Sequence, residues 1–184
     1  LYYIDTAQLV NGVVVFNGDK HSKGLFAVVM PNHDFFEVIH DTEAVVMTVG
    51  DTTDHMHSLT VQESANNKAL LAYVRYVEEH DQKMAALSDA YRLAGGNPKK
   101  EAVISKKMRN LNRRLNAFRI KLIKQYEGLF VEQLIRLTLD VHLPPTPVDK
   151  NGVVTDSNYV YNYYIVHYWD GIDFKNPGLV HTPV

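Results

Sequence analysis

The densest group of side chains that could bind a metal is an Asp/His cluster, Asp51-Thr-Thr-Asp54-His55-Met56-His57, in a chain with nine histidines. If the cluster is extended, His55 and His57 point to the same face, and Asp51 or Asp54 could add an oxygen ligand. No third imidazole lies at a helical or strand spacing nearby. The pattern therefore favours a solvated loop over a metal site.

Other catalytic chemistry has little support in the sequence. The chain has no cysteine, so it has no thiolate nucleophile, disulfide or cysteine metal site. It also lacks the sequence motifs of α/β-hydrolases, P-loops, zinc proteases and Rossmann dinucleotide sites. Asp170 and Asp173 lie beside His167, but at a predicted helix end and turn, where carboxylates cap. We therefore predict no catalytic residue, no cofactor and no metal, and a binding or positioning module.

Charge is distributed unevenly along the chain. Residues 1–63 carry a net charge of −7, residues 64–140 carry +7, and residues 141–184 carry −2. Most of the positive charge falls on one predicted helix. Its basic residues are Lys99, Lys100, Lys106, Lys107, Arg109, Arg113, Arg114, Arg119, Lys121 and Lys124. Nucleic-acid binding is one hypothesis for this stripe. The pattern favours a solvated face that partly complements the acidic first third, without nucleic acid as a partner.

The first sixty residues have the pattern of antiparallel β structure. Short β-branched and aromatic runs alternate with turn signals such as Asn11-Gly12 and Pro31-Asn32-His33-Asp34. The candidate strands are residues 2–4, 13–16, 25–30, 35–39, 44–49 and 59–61. Their spacing predicts a meander or half of a sandwich.

From Ser64 the apolar period changes from two to about 3.6. Ser64 is the predicted N-cap of a helix ending near Leu93, and Gly95-Gly96-Asn97-Pro98 predicts a tight link to a second helix capped by Asn97. That second helix has a heptad seam and is expected to project beyond the β part. Gly128 ends it, and a shorter helix is predicted over 129–140. A proline-rich link, 141–155, follows.

An aromatic segment at 159–174 holds five of the eleven tyrosines and the only tryptophan. As a helix over 156–171, it places Tyr161, Tyr164, Ile165 and Tyr168 on one face. The other side is also aromatic, so we interpret the helix as a buried joint. The alternative is an aromatic docking face. The residues that we predict for such an interaction surface are Tyr163, His167, Trp169 and Asp170.

The bulk composition is that of a globular protein, with 184 residues, 46% of them hydrophobic and 22% charged. We expect no transmembrane helix and no signal peptide. Because the chain begins at Leu1 and enters an apparent strand at once, we expect it to be a fragment.

Several blocks make the chain similar to the N-terminal region of the thioredoxin-like (AhpC/TSA-type) thiol-disulfide oxidoreductases of the Bacteroidetes cell envelope. The most specific is His167-Tyr168-Trp169-Asp170-Gly171-Ile172-Asp173-Phe174, with Tyr164 and residues 179–183. Weaker likeness lies in residues 2–7, 24–29, 35–39, 51–54 and 63–67. The resemblance implies a β-rich domain and a helical segment upstream of a thioredoxin fold with a Cys-X-X-Cys motif. This chain has no such motif, so no catalytic residue is carried over.

Together these observations predict an α+β protein, an incomplete antiparallel β-sandwich followed by a long helical hairpin and further helices. We expect a β-sandwich-like domain at 1–63 and a helical domain at 64–184, with the hairpin over 64–127. By the resemblance, the chain is a non-catalytic module in the periplasm or cell envelope, and its parent protein can be membrane-anchored. It positions, dimerises or selects partners for a C-terminal thioredoxin-like domain, with a homodimer expected through the hairpin. The alternative is an independent module that binds a peptide, glycan or partner helix.

Overall fold

The computed structural model describes residues 3–182 of the chain and confirms the α+β class. Four strands and two short helical elements come first, and four longer helices and a second 3₁₀ turn follow. The strands are β1 (Gly24–Val29), β2 (Phe35–His40), β3 (Val46–Val49) and β4 (Leu59–Glu63). The helices are α1 (His55–Ser58), α2 (Ala65–Leu93), α3 (Pro98–Gln125), α4 (Phe130–Arg136) and α5 (Tyr159–His167). Two 3₁₀ turns cover Gly18–Lys20 and Pro177–His181.

The strands form two separate two-stranded antiparallel sheets. β1 pairs with β2 from Gly24 opposite His40 to Val29 opposite Phe35. β3 pairs with β4, and the register shifts between Val46 and Met47. Within residues 3–182 the two pairs are not joined into one sheet. This arrangement agrees with the predicted incomplete sandwich.

One predicted strand, at residues 13–16, is wrong. The Asn11-Gly12 turn forms as its sequence indicates, with φ of 52° and 78°, and Val10 and Val13 exchange two backbone hydrogen bonds. Beyond this bridge the segment has no partner strand among the described residues, and strand geometry requires one. The strand predicted at 2–4 begins outside the described residues, and Tyr3 and Ile4 are not in a strand.

The helical hairpin forms where local capping signals predicted it. The Ser64 hydroxyl accepts a hydrogen bond from the Asn67 N–H, and the Asn97 side chain accepts one from the Lys100 N–H. Gly95 and Gly96 adopt positive φ between the two helices, as does Gly128 after α3. Sequence and structure therefore agree on both helix starts within one residue.

A group of polar side chains, three of them buried and Glu43 half-buried, is here called the polar joint and connects the β part to the helices. It comprises Glu43, Ser64, Asn66 and Asn67. The Asn67 amide pairs with both backbone groups of Ile39, accepting from its N–H at 2.8 Å and donating to its C=O at 2.8 Å. Asn66 Oδ1 accepts from the Val131 N–H at 2.9 Å, and its amide nitrogen donates to Glu43 at 2.6 Å. The first turn of α2 thus holds β2, the loop after it, and α4.

The apolar core packs around this joint. Ile39 from β2 meets residues from α2, α3 and α4 in one cluster. Its buried members are Ile39, Ala69, Leu70, Leu122, Ile123, Phe130, Val131 and Ile135. Burial of these side chains is the main apolar contribution to stability, at ~1.5–3 kcal/mol for each large one. The core therefore includes residues from both sides of position 63.

The distal half of the hairpin lies outside this core. Its last buried residue on α2 is His80, and the first on α3 is Leu115. Between them the half-buried positions form the seam of the hairpin and include Met84, Leu87 and Met108. None of the helices in residues 3–182 is both long and apolar enough to cross a membrane.

Candidate functional site

The aromatic block, residues 159–174, contains a shorter helix than the sequence predicts. α5 covers Tyr159–His167, and the Asn158 side chain makes no capping hydrogen bond to it. The Asp156 carboxylate instead accepts from the Asn158 N–H in the turn before the helix. After the helix, Gly171 adopts the predicted positive φ, at 78°, and turns the chain back.

The aromatic block is exposed, so our interpretation of α5 as a buried joint is wrong. No residue of α5 is buried. The face on which apolar side chains recur at helical spacing points outward: Tyr161 is 66% exposed, Ile165 52% and Tyr164 42%. The only half-buried positions lie along the other edge, at Tyr159, Tyr163 and His167. A helix of nine residues can contact the rest of the protein along one edge only. In α5 that edge is the one with Tyr159, Tyr163 and His167, which is less apolar than the outward face.

The aromatic rings pack mainly against one another. One row joins Tyr159, Tyr163 and His167, with ring centroids 6.1 and 4.1 Å apart. A second row continues from Tyr164 through Tyr168 and Trp169 to Phe174, with centroid separations of 5.2, 4.6 and 5.4 Å. Such tilted and edge-on contacts are favourable ring geometries. They pack the rings against one another without burying them in the core.

A cleft of about 260 Å³ lies between α5 and the segment that follows α4. The structure brings all four residues predicted for the interaction surface, Tyr163, His167, Trp169 and Asp170, to its wall. The opposite wall was not predicted. It is formed by Arg136, Leu137, Leu139, Asp140, Val141 and His142. These residues precede α5 by about twenty positions, and no local pattern links the two segments.

Polar contacts connect α4 to the segment that follows α5, and these contacts hold the two walls of the cleft together. The Gln133 side chain accepts from the Asp173 N–H at 3.0 Å. Arg136 donates to the buried Glu132 at 2.7 Å, and its aliphatic stem lies against Gly171, where an added Cβ would be 3.1 Å from Arg136 Cδ. The guanidinium is thereby committed to Glu132, so the cleft offers apolar and aromatic contact in addition to this paired charge.

The carboxylates near His167 make two different contacts, and only that of Asp173 is with a backbone N–H. Asp170 Oδ2 lies 2.6 Å from His167 Nδ1, one turn earlier, and Asp173 accepts from the Lys175 N–H. Among the described residues lining the cleft there is no serine, threonine, cysteine or lysine beside the imidazole. A His–Asp pair activates a nucleophile only when one lies within hydrogen-bond reach.

The Asp/His cluster near residue 55 is divided between separate contacts. His55 Nε2 lies 3.0 Å from the Phe35 carbonyl oxygen, whereas His57 Nδ1 lies 2.7 Å from Asp54. This bond to Asp54 raises the pKa of His57 above its ordinary value of 6.5. Hydrogen bonds from Thr53, first from its hydroxyl, lower the pKa of Asp51. Nowhere in residues 3–182 do three His, Asp or Glu side chains converge as a metal site would require.

A second concavity, of about 320 Å³, was not predicted from the sequence. It lies between β2, β3, α1 and the start of α2. Its walls are mainly apolar, from Phe35, Phe36, Met47, Met56, Leu59, Leu70, Leu71 and Val74. The sequence shows that these residues are apolar, but it does not show that they form a groove. The groove joins elements that the polar joint brings together.

Fold and site together define an α+β protein with two small sheets, a long hairpin and an exposed aromatic cleft. Comparison with protein-family models, with curated proteins and with solved structures finds no match to this chain. The resemblance to the thioredoxin-like oxidoreductases therefore stays a prediction.

Proposed function

We propose that this chain is a non-catalytic module that docks and positions a second folded domain, with the aromatic block as the docking surface. The observation that carries the proposal is the outward face of α5. Tyr161, Tyr164 and Ile165 are 42–66% exposed there, and Trp169 is 46% exposed. Large exposed aromatic clusters are characteristic of interaction sites, because burying them on a partner is favourable.

The partner that we propose is a thioredoxin-like domain located C-terminal to this chain in the same protein. The resemblance supplies this identity, and its most specific residues, Tyr164 and 167–174, coincide with the exposed aromatic block. The parent would be a thiol-disulfide oxidoreductase of the periplasm or cell envelope. The absence of cysteine in this chain is compatible with a division in which the second domain performs the redox chemistry.

Contacts between rings on the docking surface support this role. The ring contacts from Tyr164 to Phe174 limit side-chain freedom before a partner arrives. Ordering a mobile side chain on binding costs ~0.5–1.5 kcal/mol, so rings that are already held lose less. The hydrogen bond from Asp173 to Gln133 connects this surface to α4 and hence to the core.

The alternative function is an independent binding module for a peptide, glycan or partner helix. The cleft beside His167 favours this alternative, since it places aromatic rings and the carboxylate of Asp170 around one concavity. Aromatic rings with a few polar groups are the usual lining of such sites. In the docking function the second domain covers the outward face of α5, whereas in the alternative a ligand occupies the cleft.

A homodimer through the hairpin is a further part of the proposal. The seam of the distal half leaves apolar atoms of Met84, Leu87 and Met108 half exposed. Pairing two hairpins would cover them. Light scattering coupled to size exclusion would report twice the mass of one chain, and a monomer at all concentrations tested would contradict this part.

Hydroxyl-radical footprinting of the full-length protein and of this chain alone tests the docking proposal. We expect Tyr161, Tyr164 and Trp169 to be oxidised in the isolated chain and protected in the longer protein. Phe16, 45% exposed and outside the block, is a matched control for Trp169 and should react equally in both. Equal oxidation of the block in both proteins would refute docking. A complete reading frame without Cys-X-X-Cys would refute the redox partner.

A further inference from the structure

Within residues 3–182 no basic side chain of α3 has a carboxylate partner, whereas four of the nine basic side chains elsewhere have one. Nine Lys and Arg residues lie outside α3, and four of them form ion pairs, Lys23, Lys83, Arg92 and Arg136. Ten lie on α3, and within residues 3–182 none has a carboxylate at ion-pair distance. The expected neutralisation by the acidic first third is therefore not made through direct pairs.

The acidic residue of α3 does not relieve this charge. Glu101 is its one carboxylate, so the helix carries a net charge of +9. That carboxylate accepts a hydrogen bond from the Gly96 N–H at 2.9 Å and serves the link between the helices. Arg113 donates to the neutral Asn110 side chain. The positive charge of α3 thus faces solvent uncompensated.

Nine of the ten basic residues are exposed, and we call them the basic face. They are Lys99, Lys100, Lys106, Lys107, Arg109, Arg113, Arg114, Lys121 and Lys124. Lys99, Lys106, Arg113 and Lys124 follow one another at multiples of the helical repeat, on the side opposite the buried Leu115. With 28 residues the helix is ~42 Å long, so these charges form one straight row.

The basic face is unfavourable for the helix by itself. Arg109 and Arg113 are like charges four residues apart, and Lys106 and Arg109 are three apart, spacings at which equal charges repel. Lys99 lies in the first turn, where the helix dipole favours negative charge. An anionic surface along the row would relieve both effects.

We infer that the basic face binds the surface of an anionic phospholipid bilayer. A straight row of long, flexible cationic side chains fits a plane of headgroups. Val103 and Ile120 are 56% and 46% exposed among them and can enter the interfacial layer. The inference does not rest on the docking function of the aromatic block, which lies on a different helix.

The same residues are less suited to single-stranded nucleic acid. Single-stranded nucleic acids are held by aromatic rings on which bases stack. The aromatic side chain in the body of α3, Phe118, is already stacked on Tyr76 at 4.1 Å inside the hairpin seam. The exposed apolar residues on the helix are aliphatic, as in Val103 and Ile120.

Vesicle co-sedimentation tests the inference. The probes are vesicles of phosphatidylcholine alone and vesicles containing about one-third phosphatidylglycerol, with a DNA duplex and a single-stranded RNA as competitors. The test variant carries Lys106→Glu, Arg113→Glu and Lys124→Glu. The control carries Lys20→Glu, Lys150→Glu and Lys175→Glu, exposed positions outside α3, so both variants have the same net charge. A third variant carries Lys106→Gln, Arg113→Gln and Lys124→Gln, which removes the positive charges while keeping a similar helix propensity.

We expect binding to the anionic vesicles alone, weakened by salt because surface charges are screened within ~8 Å at physiological ionic strength. The Glu triple on α3 should reduce affinity by on the order of 100-fold, given the contribution of each basic residue near such a surface. The Gln triple should reduce it less, and the control least. No binding to anionic vesicles, equal losses in test and control variants, or displacement of the vesicles by nucleic acid would each overturn the inference.

Discussion

The polar joint and the aromatic block reverse the usual distribution of side chains, in opposite directions. In the joint, Asn66 and Asn67 are 1% exposed, and every side-chain amide group has a partner. In the block, Tyr161 and Phe174 are 66% and 67% exposed, and the ring that packs against Phe174 is that of Trp169. The buried polar region holds elements of this chain together, whereas the exposed apolar region lacks such a role within it.

This difference shows what each region can tolerate. A buried amide that pairs with backbone groups loses both partners at once when it is removed, and each orphaned group costs ~1–3 kcal/mol. The exposed rings of the block already leave between 42% and 67% of their area in water, so removal of one changes little in the isolated chain. The effects of substitutions should therefore separate the two regions clearly.

The largest effect is expected for Asn67→Ala. This change orphans the N–H and C=O of the buried Ile39 and removes a contact with Ser64. We expect the free energy of unfolding to fall by about 3–5 kcal/mol, measured by urea denaturation. Asn162→Ala on the exposed α5 is the matched control and should change it by less than about 0.5 kcal/mol. Equal losses of unfolding free energy in the two variants would contradict the stabilising role assigned to the Asn67 hydrogen bonds.

Glu43→Ala should have the next largest effect. The Glu43 carboxylate accepts from the backbone N–H groups of Ala65 and Asn66 at the start of α2, and from the Asn66 amide. Loss of such a cap costs ~1–2 kcal/mol, and the buried amide adds to this. Thermal unfolding of this variant beside Glu63→Ala, an exposed strand position, measures the difference. A Glu43 variant as stable as the Glu63 variant would contradict the assigned contacts.

Trp169→Ala should change stability by less than about 1 kcal/mol, because the ring is 46% exposed. Phe130→Ala, an aromatic change in the core, should cost ~3–5 kcal/mol by comparison. Both are measured by the same denaturant titration, with circular dichroism as the signal. If the two losses are similar, the aromatic block contributes to the fold in the way that a buried joint would.

The smallest effect concerns His57, whose raised pKa comes from its hydrogen bond to Asp54. A raised pKa in the folded state adds stability that is fully present below the unfolded pKa of 6.5 and disappears as pH rises through the folded value. An NMR titration should therefore place the His57 midpoint above 6.5, and Asp54→Asn should lower it. An unchanged midpoint in Asp54→Asn would exclude this ion pair as the cause.

Much of the fold could be predicted because its signals are local. Ser64, Asn97, Pro98 and Gly128 each determine a helix end through backbone geometry within a few residues. The roles of Asn66 and Asn67 could not be predicted in this way. Their partners, Val131 and Ile39, lie 65 and 28 positions away. A helix start rich in asparagine is equally compatible with an exposed first turn.

The candidate site was predicted on one side only. The choice of Tyr163, His167, Trp169 and Asp170 came from one continuous segment, and the structure places them on one wall. The opposite wall, including Arg136 and His142, depends on how the segment after α4 folds back. The predicted burial of α5 was wrong. Amphipathicity identifies an apolar face but does not specify whether the same chain covers it.

The distal half of the hairpin has a kinetic consequence. Between His80 and Leu115 no described residue is buried, so amide hydrogens there are protected only by helical hydrogen bonds and a thin seam. Exchange with deuterium should then proceed as a gradient, fastest near Gly95 and slowest beside the core. The two helices would open from their linked ends inwards while the rest of the molecule stays closed. The end of the hairpin near the core should therefore be the more stable part, and the end near Gly95 the less stable one.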